Sequence, residues 1–321
     1  MDTLTIRKSD RINYILHQPK KENYNKIRTS STARLAVKGS KGLSTIACGQ
    51  IASALTFYTP VSAVFLTSRG LNYSKIFTLE SVLLFSILLV EIPSGVWADK
   101  VDRKALVILG FALSAASNII YALGQGFAWY AVSYSISGFS IALLSGILEA
   151  YVYGSLGKDA DNPATGVFSF YKSLKLISGV LASLCGSYFA HLNISFPAYA
   201  TAMVSFIGFL FMLRLPPIPV NNRKHSTSKR SLLQDLIKGA NVLIRASVLA
   251  LVSITSSASF VLFNAVYTLN QPLSEHTNLP MSYWGLLSSA ALILAAVYNY
   301  LSDKLEVYLR RSKSSLFSLL L

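Results

Sequence analysis

Eight stretches of this chain are each apolar and long enough to cross a bilayer as a helix, which leaves little room for a water-soluble fold. A hydrocarbon core of about 30 Å takes roughly 20 helical residues. Runs near that length go from Ser44 to Leu66, Ile76 to Trp97, Ala105 to Leu123, Phe127 to Tyr151, Phe168 to Ala190, Phe196 to Leu213, Ala246 to Leu269 and Tyr283 to Leu301. Only 13% of the 321 residues are charged and 52% are hydrophobic, too little charge to cover a soluble protein of this size. The chain therefore reads as an all-α membrane protein. Pro60, Pro93 and many Gly and Ser residues interrupt the runs, as a helical membrane bundle tolerates when neighbouring helices satisfy freed backbone groups.

The basic residues give the orientation. A net charge of +15 would suggest a nucleic-acid partner if the cations shared one face. With the N-terminus in the cytoplasm, however, 27 of the 29 Lys and Arg residues fall on the inner side, and only Arg69 and Lys75 lie outside. The positive-inside rule accounts for that bias, so no nucleic-acid partner is needed, and a multi-pass protein of the cell membrane is expected. The first 43 residues are polar and basic, without the apolar stretch of a cleavable signal, and read as a cytoplasmic arm. Cys48 and Cys185 fall inside spans and read as small buried apolar residues rather than a disulfide framework.

Four segments follow: the arm 1–43, a six-helix bundle 44–215, a cytoplasmic linker 216–245, and a partial second bundle 246–321 with two full spans and a stub. In the linker, Pro216 to Arg230 is polar and Pro-rich, and then Leu232, Leu233, Leu236, Ile237 and Leu243 recur at helical spacing beside Asp235, Lys238 and Arg245. That pattern predicts an amphipathic helix on the inner membrane surface. Ala98-Asp99-Lys100-Val101-Asp102 resembles Ser302-Asp303-Lys304-Leu305-Glu306 at an offset of 204 residues, and the same offset carries the start of span one close to the start of span seven. Two related halves are implied, the second with two spans only.

The loop Gly95-Val-Trp-Ala-Asp99-Lys100-Val-Asp102-Arg103-Lys104 between spans two and three resembles the Gly-x-x-x-Asp-basic-x-Gly-x-basic loop of the major facilitator superfamily of secondary transporters. Glu91-Ile-Pro93-Ser-Gly95 before it, and Ser145-Gly146 with Glu149-Ala150 at the end of span four, look like a bacterial branch of that superfamily. The resemblance implies a helical bundle with a complete six-helix N-terminal half and a partial C-terminal half, moving a small solute by alternating access. It also implies a conformational switch of Gly95, Asp99, Lys100, Arg103, Lys104 and Glu149, in which the acid latches onto a later helix and the Arg joins a relay with Glu149. Asp102 stands where the family has Gly, and a left-handed turn there is expected to be harder for Asp. The plain alternative is that these cations only fix topology.

Intramembrane carboxylates usually face a bundle interior or a wet cavity, because burial disfavours their charge. Glu80 and Glu91, eleven residues apart, return to nearly the same helical face and are candidates for a proton or substrate cavity. The alternative readings are a structural part of the Pro93 bend for Glu91 and an outer-interface position for Glu80. The resemblance makes spans one, four and seven the lining of the path. These carry Gln50, Ser53, Thr56 and Tyr58, then Tyr130, Ser133, Tyr134 and Ser137, then Ser253, Thr255, Ser256 and Asn264. Gln50, Tyr58, Tyr134 and Asn264 are the cavity candidates, most of the Ser and Thr being helix contacts. A neutral, partly aromatic wall suits an uncharged or amphipathic solute, with proton coupling as an option.

Other functions are weighed on the same residues. Asp99 and Asp102 are too neutralised by Lys100, Arg103 and Lys104 to read as a magnesium pair, and the four His residues show no metal spacing, so no enzyme, metal or cofactor is expected. A non-transporting remnant or partner membrane protein is the main rival reading. The expectation is an incomplete transporter, with a second chain that completes the bundle as one option.

Overall fold

A computed structural model describes residues 40–100, 102–156, 163–217 and 280–294, with single positions at 37, 271, 273, 274, 277 and 297, and leaves aside the side chains of 92–100 and 163–166. The arm before residue 37, linker residues 218–245, span seven with Asn264, and the segment repeating Asp99 lie outside the described residues.

All the regular elements there are helices: α1 Lys41–Ala54, α2 Ser62–Ser68, α3 Tyr73–Lys100, α4 Arg103–Leu123, α5 Phe127–Leu156, α6 Pro163–Leu192 and α7 Phe196–Met212. A last helix, α8 Met281–Leu294, opens with a 3-10 turn at Met281–Tyr283. Among the described residues, five spans are long and apolar enough to cross a membrane, with the shorter α7 and α8 beside them. Chain direction alternates. The end where α1 begins also holds Asp102 and Pro216 (the near end), while the turns at Gly70, Gly126 and Ser195 share the opposite, far end.

Span one is not the continuous helix that its hydropathy predicts. It stops at Ala54 and resumes through a 3-10 turn at Thr59–Val61 into α2. A break leaves backbone donors and acceptors without helical partners, and other helices supply some of them. The Phe57 N–H donates to Thr201 Oγ1 of α7 at 2.9 Å.

Asp102 is explained by a different local need from the one expected. Its φ is −57°, not left-handed, and its carboxylate accepts from the Lys104 N–H at 3.1 Å. It caps α4, a job that Asp does well. The cysteines also differ from expectation, since Cys48 and Cys185 are both exposed and unbonded. Each is bordered on its helix by buried positions, Ala47 and Gly49 beside Cys48 and Gly186 beside Cys185, and an exposed face in an apolar span accepts a thiol as readily as a core does.

Two apolar cores hold the bundle. At the near end Leu43, Ile46, Leu106, Phe111, Leu143, Ile147 and Met212 pack together; at the far end Phe65, Leu66, Leu79, Tyr121, Tyr130 and Ala202 do so. Each of α1 to α7 passes from one toward the other or serves one end. Small residues let the helices meet closely: a Cβ on Gly138 of α5 would lie 2.6 Å from Ser86 Cβ and 2.7 Å from the Leu83 carbonyl oxygen of α3.

Candidate functional site

Between the two cores lies a polar belt. On α4 it occupies the turns between Phe111 and Tyr121, about 15 Å of helix at 1.5 Å per residue. Asn118 is its centre. The Asn118 amide donates to Ser205 Oγ of α7 at 2.9 Å and to the Ser114 carbonyl at 3.0 Å, while its oxygen accepts from the Tyr58 hydroxyl at 3.3 Å. The break of span one, α4 and α7 are thereby joined through one amide, as expected where apolar surroundings make unpaired polar groups costly. Ser133 of α5 donates to the Ser117 carbonyl at 2.8 Å.

Tyrosines cap the belt on its far side. The Tyr58 and Tyr121 rings stack at 4.4 Å between centroids, and Tyr121 meets Tyr130 edge-on at 5.6 Å and Tyr134 at 6.3 Å. Tyr130 is committed to structure, donating to the Gly124 carbonyl at 2.9 Å. The Tyr121 hydroxyl is buried and has no partner among the described residues. Glu80 of α3 is half-buried, within electrostatic range of the Tyr58, Tyr121 and Tyr134 hydroxyls.

Of the expected cavity residues, the fold brings Glu80, Tyr58 and Tyr134 together. Glu91 is exposed and about 16 Å further along α3, eleven residues at the helical rise, so the two carboxylates sit at different depths. Gln50 is 5% exposed, and its Oε1 lacks a partner among the described residues. It follows Leu43 and Ile46 on one face of α1, where the near core gives way to the belt. Asn118, Tyr121 and Ser205 were missed, although an Asn in mid-span is itself a signal, since an amide there needs a partner.

The switch residues lie at the near end. Gly95, Asp99 and Lys100 are on the last turns of α3, their side chains outside the described residues. Arg103 reaches across from α4 to donate to the Ala150 carbonyl of α5 at 3.2 Å. Its guanidinium is thus carried to the turn that bears Glu149, which is exposed, while the bond goes to the main chain. Lys104 is half-buried, next to the Asp102 cap.

At the far end, α8 runs antiparallel to α6. Trp284 packs with Val61 and Ala190, Ser289 donates to the Val180 carbonyl at 3.3 Å, and Leu292 lies over Gly179. Gln271 reaches into the break of span one, accepting from the Ala63 N–H at 2.7 Å and donating to the Thr59 carbonyl at 3.0 Å and Ser62 Oγ at 3.2 Å.

An antiparallel six-helix bundle, interrupted in its first span and packed along α6 against a further helix, defines a polytopic helical membrane protein. The chain belongs to the Major Facilitator Superfamily, whose family model matches residues 34–321. It is 24% identical over 214 residues to the quinolone resistance protein NorA of Staphylococcus aureus (strain MRSA252), covering 65% of this chain and 53% of that protein. To the MFS-type transporter YxaM of Bacillus subtilis (strain 168) it is 23% identical over 174 residues, covering 53% of this chain and 42% of that protein. The chain thus spans about half the length of these curated relatives. Among solved structures, the nucleoside transporter NupG superposes with a TM-score of 0.65 at 16% identity, covering 87% of this chain and 68% of that one. The D-xylose-proton symporter gives a TM-score of 0.60 at 13% identity, covering 85% and 68%. At these identities the two structures establish the fold alone.

Proposed function

We propose that this chain acts in secondary active transport of a small solute across the cell membrane by alternating access, with its N-terminus cytoplasmic. The observation that carries this reading is the polar belt: Asn118 joins Tyr58 and Ser205 at mid-depth between two apolar cores, with Tyr121, Tyr134 and Glu80 where the belt meets the far core, in a family of transporters. Packing alone would favour an apolar core there, since buried polar groups are costly unless satisfied. The belt is neutral apart from Glu80 and rich in aromatic surface, which fits an uncharged or amphipathic solute. Glu80 is the proton-coupling group, being the half-buried carboxylate among the tyrosines, and Gln50 offers a further acceptor. Asp99, Lys100, Arg103, Lys104 and Glu149 bias the near end between conformations, with Gly95 allowing the close approach. Family membership favours transport over an intramembrane enzyme.

The test is flux in proteoliposomes containing the chain, with its oligomeric mass measured so that a single chain and an assembly are told apart. The probe panel is a quinolone, a nucleoside and D-xylose, the solutes in the names of similar proteins. Uptake of at least one, driven by an imposed proton gradient, is expected; Glu80→Gln removes the proton-driven part and Glu91→Gln leaves it. Proton-driven flux that persists in Glu80→Gln removes Glu80 from the mechanism. No flux of any probe, from monomer or assembly, favours the non-transporting partner reading.

A further inference from the structure

The broken stretch of span one has an unusual partner. Ser62–Ser68 restarts the helix without a side-chain cap of its own. Its early N–H groups therefore need acceptors from elsewhere. The Ala63 N–H is answered by Gln271 Oε1 at 2.7 Å, from a residue 208 positions later. The same amide turns its nitrogen to the Thr59 carbonyl and to Ser62 Oγ. Gln271 is 5% exposed, so these bonds are shielded from water. One side chain from the second half thus completes the backbone bonding of a break in the first.

The described surroundings combine side-chain packing with close backbone approach. Among the described residues, Val61, Ala190 and Trp284 form the buried cluster there. A Cβ on Gly285 would collide with the Ser183 carbonyl oxygen, so at this point α8 lies directly on the α6 backbone.

We propose that Gln271 is a cap in trans: its engagement with the break at Thr59–Ala63 holds the far end shut, and its release is the step that opens it. On release, the Ala63 N–H and Thr59 carbonyl need new partners, supplied by entering water or by rewinding of the break into continuous helix. Closure of the far end and the shape of span one are then a single two-state element. The proposal rests on the alternating-access reading, from which its test is separable.

The test uses the full chain in nanodiscs with Cys48→Ser and Cys185→Ser. Spin labels at Ser68→Cys and Thr277→Cys, both exposed, report the distance across the seam; a second pair at Ser74→Cys and His191→Cys reports the integrity of the six-helix bundle. Gln271→Leu removes all three bonds and is expected to raise the ratio of long to short seam distances roughly tenfold, with Ser62→Ala, which loses one, raising it roughly twofold. The bundle pair stays unchanged in both. A seam distribution that Gln271→Leu leaves as in the parent overturns the proposal. Should Gln271→Leu disturb the bundle pair as well, Ser62→Ala decides, an unchanged seam counting against the cap. A seam that responds in a chain without flux keeps the cap and sinks the transport reading; flux with an unresponsive seam does the reverse.

Discussion

The contact of α5 with α3 and α4 and the contact of α6 with α8 are both close helix crossings, yet they are built from different materials. Inside the six-helix bundle, Gly138 and Gly110 bring helices together within two large apolar cores, and Ser140 donates to the Gly110 carbonyl at 2.8 Å. Between the halves, the described contacts are the buried cluster of Val61, Ala190 and Trp284, the Gln271 amide, the Ser289 bond to Val180, and the approaches at Gly285 and Gly179. A crossing embedded in extensive apolar packing is fixed, because parting it would forfeit many contacts at once. A crossing held by a few polar bonds can exchange them for water at modest cost. Close approach alone therefore does not separate a permanent contact from a switching one; what surrounds it does.

The largest expected effect lies inside the bundle. Gly138→Leu drives a side chain into the α3 backbone at Leu83 and Ile87 and is expected to cost about 3 kcal/mol through overpacking. Thermal unfolding in detergent and the monodisperse fraction on size exclusion measure it, and parental stability would mean that the α3–α5 crossing is soft. Gly285→Leu is the matched change at the seam. It is expected to cost about 1 kcal/mol, at the low end for overpacking, because α8 can move away. Trp284, 4% exposed in the parent, becomes accessible to acrylamide in a Trp97→Phe, Trp129→Phe background while bundle unfolding barely shifts. Loss of the bundle in Gly285→Leu would erase the distinction between the two crossings. The smallest effect concerns Asp102. If it serves as a cap, Asp102→Ala costs about 1 kcal/mol and Asp102→Gly only about 0.3 kcal/mol. A Gly variant more stable than the parent would restore the left-handed turn instead.

The bilayer made the fold legible, since a span must be long and apolar whatever its neighbours do, and the runs beginning at Ala105, Phe127 and Phe196 correspond closely to α4, α5 and α7. The extent of the interruption in span one was less legible. Pro60 marks it only weakly, because Pro is also accepted at the start of a helix, and it is sustained by Thr201 and Gln271, 144 and 208 residues away. Glu80, Tyr58 and Tyr134 could be singled out one at a time as polar residues in apolar runs. Their meeting with Asn118 and Tyr121 could not, because it depends on how four helical segments rotate about their axes. Asp102 was misread for a simpler reason: comparison with a family loop displaced the local reading, in which an Asp directly before a helix is a cap.

The Tyr151 hydroxyl donates to the Pro216 carbonyl at 2.6 Å and lies against Gly42, so the chain leaving α7 is pinned to the near ends of α5 and α1. The chain thus leaves the first bundle from a fixed rivet rather than from the free end of a helix. Tyr151→Phe should loosen that point of departure while the two apolar cores of the bundle stay as they are.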